Sequence, residues 1–216
     1  MDYTEILLVL LALEVLARAL LEVRERRTTQ LRGGVFAMLR VIPLVNDIVP
    51  LPEGRADCTS GGENCAGEGK VGTAPGAVGN SAAPGQEFVE EHEKAHKTLR
   101  HGILRNLLKV ILLSLAVGLL LFLLVRCQMP WWQAVVGLHL VAVPVRLFFH
   151  WYCWNQEYEA DRTAFGKVGK KVARDAMRNL AACEIPYTPL FALTYREHPT
   201  VALRSLRLLN KQVSSS

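Results

Sequence analysis

Two histidines four residues apart, with a glutamate between them, are the residues of this chain best suited to chemistry. They lie in FVEEHEKAHKTLRH, Phe88 to His101, at the centre HEKAH. On a helix, residues four apart share a face, one turn above the other. His92 and His96 can therefore offer two imidazole nitrogens to one metal ion. Glu93 stands beside that ion, placed to take a proton from a bound water. The pattern fixes only three letters, and it equally describes an exposed, charged helix face with two surface histidines. The rest of the chain has to decide between them.

A second set of acids supplies what the first lacks. A catalytic zinc takes three protein ligands and keeps one position open for water. In NQEYEADRTA, Glu157 and Asp161 are again four apart, so both carboxylates share a helix face. Glu157 is the expected third ligand. Asp161 is placed to accept the second N–H of a ligating histidine and fix its tautomer. Alone, EYEAD reads as a solvated acidic patch. Its position changes the reading, because it follows two apolar segments that return the chain to the same membrane face.

The elements that must position these residues follow from the hydrophobic pattern. Half of the 216 residues are hydrophobic, yet 21% are charged, and the charges are clustered. That distribution fits membrane segments joined to polar parts. Ile6 to Val23 is long enough to span. It carries Glu14, Arg18 and Glu22 at i,i+4 spacing, which a span would have to turn towards other helices. Arg24, Arg26 and Arg27 follow as a cytoplasmic anchor. A short helix is expected over Gly34 to Val41, stopped by Pro43. Arg55 to Gly85 is rich in Gly, Ala and Ser. It reads as a flexible lid or as a hairpin with strands at Ala56 to Ser60 and Lys70 to Thr73. Such a hairpin would bind an extended substrate through its backbone.

The HEKAH helix should begin near Gln86 and run on into the next span, Val110 to Val125, which Lys109 and Arg126 flank. Trp131 and Trp132 mark an interface, and Gln133 to Phe149 returns across the membrane with His139 in its middle. His139 reads as a hydrogen-bonded helix contact and not as a ligand. A helix from Asn155 to about Cys183 follows, then breaks at Pro186 and Pro189, then a last helix over Pro199 to Leu209. The basic stretches Arg24 to Arg32, Lys94 to Lys109 and Arg162 to Arg178 place the HEKAH helix and the C-terminal region on the cytoplasmic side.

The expected architecture is therefore mainly α, an integral membrane helical bundle of about three spans with a small catalytic part. Residues 1–30 form the N-terminal transmembrane helix and basic anchor, and 31–105 the cytoplasmic part with the HEKAH helix. Residues 106–150 form a transmembrane hairpin, and 151–216 the C-terminal helical part with the third ligand. The net charge of +5 comes with no basic tract or nucleic-acid motif, so no nucleic-acid partner is expected. The five cysteines form no CxxC pair and read as free thiols, not as a secreted disulfide framework. The N-terminus lacks the basic start of a cleavable signal.

HExxH, two spans and then E-Y-x-A-D resembles the membrane metallopeptidases that include the HtpX heat-shock protease and the CAAX prenyl proteases. REHPTVALR adds a His-Pro pair, His198 and Pro199, with Arg204 six residues after the histidine. The resemblance covers roughly Leu31 to Leu209. It implies a zincin-like catalytic domain on a helical membrane bundle, which cuts peptide bonds at or in the membrane surface. It implies zinc on His92, His96 and Glu157, Glu93 as general base, and Asp161 behind the ligands. On the resemblance alone, His198 and Arg204 contact substrate or stabilise the oxyanion. The expected partners are a membrane-associated peptide or protein substrate and the lipid bilayer.

The chain departs from the family in several places. Lys94 and Ala95 stand inside HExxH where small or apolar residues are usual, and Glu90 and Glu91 replace residues that are commonly apolar. Only one span precedes the motif. Two other readings stay open on sequence. One is a non-enzymatic membrane scaffold. The other is a sensor peptidase of the β-lactam-receptor type, which would need a sensing domain for which no room is expected after Leu209.

Overall fold

The computed structural model describes residues 2–29, 41–42 and 85–210. Among them every regular element is helical. In order these are α1 (Tyr3–Thr29), α2 (Gln86–Thr98), α3 (His101–Leu121), α4 (Trp131–Cys183), α5 (Pro189–Tyr195) and α6 (Val201–Asn210), with a π-helical turn, Phe122–Arg126, after α3. The hairpin expected within 56–73 lies outside the described residues. So does the helix expected over 34–41, except for Val41, which is in a turn.

The chain divides into two compact units. The first comprises Met1–Leu51, Arg100–Gln156 and Tyr187–Pro199, and the second Pro52–Leu99, Glu157–Pro186 and Thr200–Ser216.

In the first unit, α3 and α4 are long and apolar enough to cross a membrane. Ile103, Leu107, Val110, Leu113 and Leu115 of α3 are all exposed. Water would penalise such a surface and hydrocarbon would not. Polar side chains turn inward instead. Arg18 Nε donates to Glu14 Oε1 over 2.7 Å, and Glu14 also holds His139 Nε2 of α4 at 2.9 Å. Glu25 of α1 accepts from both the backbone N–H and the hydroxyl of Thr188, over 2.8 and 2.5 Å. Thr188 is the N-cap of α5, so a carboxylate meets a helix end that needs an acceptor. Pro144 lies inside α4, which continues through it.

In the second unit, α2 buries Phe88, His92 and Ala95, at i, i+4 and i+7. Facing residues on α4 are small. Ala160, Ala164, Ala173 and Ala176 are all essentially without solvent contact. Phe88 packs in one cluster with Ala164, Ala173, Ala176 and Met177 of α4 and Val201 and Leu208 of α6. Val201 N–H donates to Glu184 Oε2 over 2.6 Å, which supplies an acceptor at the start of α6.

The helix containing HEKAH does not run on into α3, contrary to the sequence expectation. It ends at Thr98, Leu99 N–H bonds Ala95 O, and Arg100 adopts a left-handed conformation with φ 56°. A left-handed residue after a helix turns the chain off the helix axis. Gly169 interrupts α4 with a positive φ too, 81°, but with an extended ψ of 171°.

Among the described glycines, Gly85, before α2, is the one with close neighbours. Its φ is +96°, and a Cβ there would stand 2.5 Å from Ala176 Cα. Gly85→Ala therefore meets both a backbone penalty and a clash with main chain that cannot swing away. We expect a loss of about 2–4 kcal/mol in the second unit, read by chemical denaturation. A variant as stable as the parent would refute this packing.

Candidate metal centre

The site is built wholly within the second unit. α2 brings His92 and His96 to one face because they are one turn apart, and His92 lies in the row that packs inward. The first turns of α4 in this unit carry Glu157, Ala160, Asp161 and Ala164 in one buried row. The alanines allow α2 close in, and the two carboxylates then meet the histidines.

The donor atoms form a small triangle. His92 Nε2 and His96 Nε2 are 3.1 Å apart. Glu157 Oε2 stands 3.4 Å from His92 Nε2, and Oε1 stands 3.4 Å from His96 Nε2. Ligands at about 2.0–2.1 Å around a tetrahedral ion lie about 3.3–3.4 Å from one another. Each imidazole nitrogen thus stands near ligand-to-ligand distance from the other and from one carboxylate oxygen, a different oxygen for each, and one donor atom from each of the three residues lies within 4.8 Å of the others, so the residues fit a metal ion. Two imidazoles and a carboxylate are also a donor set that suits a divalent transition metal.

Behind the triangle lies a second layer. Asp161 Oδ1 is 3.0 Å from His92 Nδ1, an ion-pair distance, although the ring N–H is out of line for a hydrogen bond. Arg204 of α6 donates to Asp161 through Nε over 2.8 Å and Nη2 over 2.5 Å. This fork-on-carboxylate pairing fixes the angle of Asp161 as well as its position. Burial opposes a charge on His92, but Asp161 and Glu157 outweigh it and raise its pKa above the ordinary 6.5. Burial also opposes the Asp161 carboxylate, and the hydrogen bonds from Arg204 overcome that and lower its pKa. An aspartate held ionised behind Nδ1 favours the proton on that nitrogen and leaves the Nε2 lone pair for a metal.

The remaining residues singled out by sequence are placed as follows. Glu93 is exposed on α2, directly after His92. His198 is exposed and belongs to the first unit. Arg204 is engaged with Asp161, a partnership that spacing alone does not reveal. The charges that looked out of place beside HEKAH have a structural use. Glu91 accepts from Lys94 and from Lys167 of α4, each over 2.7 Å, and so ties α2 to α4 at the surface. The signal was Glu91 and Lys94 three apart, but nothing in the sequence pointed to Lys167. Arg207 also stacks over the Tyr158 ring at 4.2 Å, joining α6 to α4 beside Asp161.

A model of peptidase family M48 matches residues 84–212, and the chain belongs to that family of metallopeptidases. No curated protein and no solved structure matches the chain.

Two outcomes follow from this geometry. Arg204→Gln should weaken metal binding about 10- to 100-fold, with Arg204→Lys between it and the parent, measured by competition with a chromophoric chelator. Unchanged affinity in Arg204→Gln would show that Asp161 needs no support. For Glu91, the hydrogen bond from Lys167 and then that from Lys94 lower the pKa below 4.5. Its contribution to stability is therefore complete above the ordinary value and is lost as pH falls through the lowered one. Thermal unfolding from pH 6 to about pH 3 should decline less in Glu91→Gln than in the parent.

Proposed function

We propose that this member of peptidase family M48 is a zinc-dependent, integral membrane endopeptidase of the HtpX kind, acting on membrane-associated or misfolded proteins. The observation that carries the reading is the triangle of His92 Nε2, His96 Nε2 and the Glu157 carboxylate, with spacings that suit zinc. These three residues would hold the ion. When bound, zinc lowers the pKa of a water and polarises the scissile carbonyl.

The protein's own side chains do the rest. Glu157 brings a negative charge to the donor set, while the two imidazoles bind as neutral ligands. Asp161 and Arg204 orient His92. The Glu93 carboxylate takes a proton from the attacking water and returns it to the leaving amine nitrogen. Its exposure leaves room for water and peptide beside it. His198, in the His-Pro pair, is the residue that the resemblance assigns to substrate contact or oxyanion stabilisation.

The same reading places the protein in the bilayer with α1 as a third span. Glu14 and Arg18 support it, because they turn to each other and to His139 while Leu8, Leu13, Leu16 and Leu20 face outward. Basic residues flanking the apolar helices support a cytoplasmic side for the metal centre.

Glu93→Gln is the decisive variant. Purified in lipid or detergent, it should keep one zinc per chain while cleavage of an unfolded protein falls by about 10²- to 10⁴-fold. His92→Ala should lose both zinc and activity. Undiminished, zinc-dependent cleavage by Glu93→Gln would sink the assigned base. Cleavage that survives full removal of zinc would sink the metallopeptidase reading itself.

A further inference from the structure

Two helices of the second unit meet over a small cleft beside Asp161. Tyr158, Asp161, Arg162 and Phe165 of α4 stand at i, i+3, i+4 and i+7, so they share one helix face. Arg204 and Arg207 of α6, three apart, present the facing row. These six residues help line an open cavity of about 140 Å³. All of them belong to the second unit.

The lining carries three arginines and one aspartate. Arg204 neutralises Asp161 through Nε and Nη2, and among the described residues its Nη1 makes no hydrogen bond. Arg207 lies over the Tyr158 ring and has no carboxylate partner among the described residues. Arg162 is exposed, with neither a hydrogen bond nor an ion pair among them. Glu157 and Glu184 also bear on Arg204, but neither lines the cleft. Two positive charges are thus left over. A guanidinium does not shed its proton in a protein, so the excess stays. The cations stand on both walls, and each wall repels the other. An anion seated between them would turn that repulsion into attraction on both sides.

We propose that the cleft between α4 and α6 binds a phosphate group, held by Arg162, Arg204 and Arg207. Charge selects the ligand. A phosphate monoester carries about −1.5 to −2 at pH 7, which matches the two arginines left over, whereas a carboxylate would satisfy only one. Guanidinium forks also suit the several oxygens of a phosphate. Size points the same way, because the cavity takes one tetrahedral oxyanion with a few waters and no helix or folded partner. The bound group has a consequence for the metal centre. By accepting from Arg204 Nη1, it would hold the guanidinium by a second edge while Nε and Nη2 stay on Asp161. The anion thus braces the pair that orients His92. The proposal goes beyond the peptidase reading and does not rest on it.

The test uses the full chain, purified in detergent with its metal, in neutral buffer at constant ionic strength. Saturating inorganic phosphate should slow hydrogen exchange over α6, Val201–Asn210, roughly three- to ten-fold, and acetate should not. Arg162→Glu reverses the charge of one wall and leaves the Arg207–Tyr158 stack in place. It should abolish the protection and keep the parent's exchange in the absence of phosphate. The double variant Arg162→Gln, Arg207→Gln should lose the protection as well. Glycerol 1-phosphate distinguishes the source of the group. Protection at a lower concentration than inorganic phosphate supports an esterified ligand, and the reverse order supports the free anion. Failure of both to protect α6 would overturn the proposal, as would equal protection by acetate. Protection that survives in Arg162→Glu would put the phosphate on the metal centre instead and would overturn it too.

Discussion

The forked hydrogen bond between Arg204 and Asp161 is the interaction on which the metal centre depends. An aspartate enclosed by helices would ordinarily take up a proton or pull water in after it. The guanidinium keeps it charged, and the charge faces His92. Removing either partner would leave the other buried and uncompensated, which costs more than the pair contributes. The pair therefore specifies an arrangement more than it adds stability. It also makes three helices interdependent, since α6 supplies the arginine, α4 the aspartate and α2 the histidine.

Small residues make that arrangement possible. The alanine row on α4 and Ala95 on α2 let the helices approach closely enough for Glu157 to reach both histidines. Gly85 opens α2 against Ala176, where any larger residue would meet backbone. The same closeness brings Lys167 to Glu91. Two charged residues that looked foreign to a metal-binding helix are thereby accounted for as the exposed rim of a tight helix pair.

Much of this was legible in the sequence because helical periodicity is rigid. HEKAH and EYEAD each place their donors one turn apart, and that spacing alone predicts shared faces. The apolar runs that became α3 and the first part of α4 were equally plain. Pairings between helices were not legible, because they depend on crossing geometry that no local spacing encodes. Arg204 is the clearest example. Its place after His-Pro marked it as important, but only its contact with Asp161 says for what. The break at Arg100 escaped notice for a different reason. Arginine has no marked preference for the left-handed region, so neither composition nor pattern separates a helix that stops there from one that continues.

The first unit is built with its polar contacts inside and its leucines outside. The leucines of α3 are exposed whether or not the unit is folded, so in lipid their solvent changes little when the helices separate. Unfolding that hydrates little apolar surface has little heat-capacity increment. The second unit buries a conventional core and should show the usual positive one. One polypeptide thus joins a part whose stability curve is nearly straight with temperature to a part whose curve is domed. Cold would weaken the core around the metal centre while leaving the apolar helices almost indifferent.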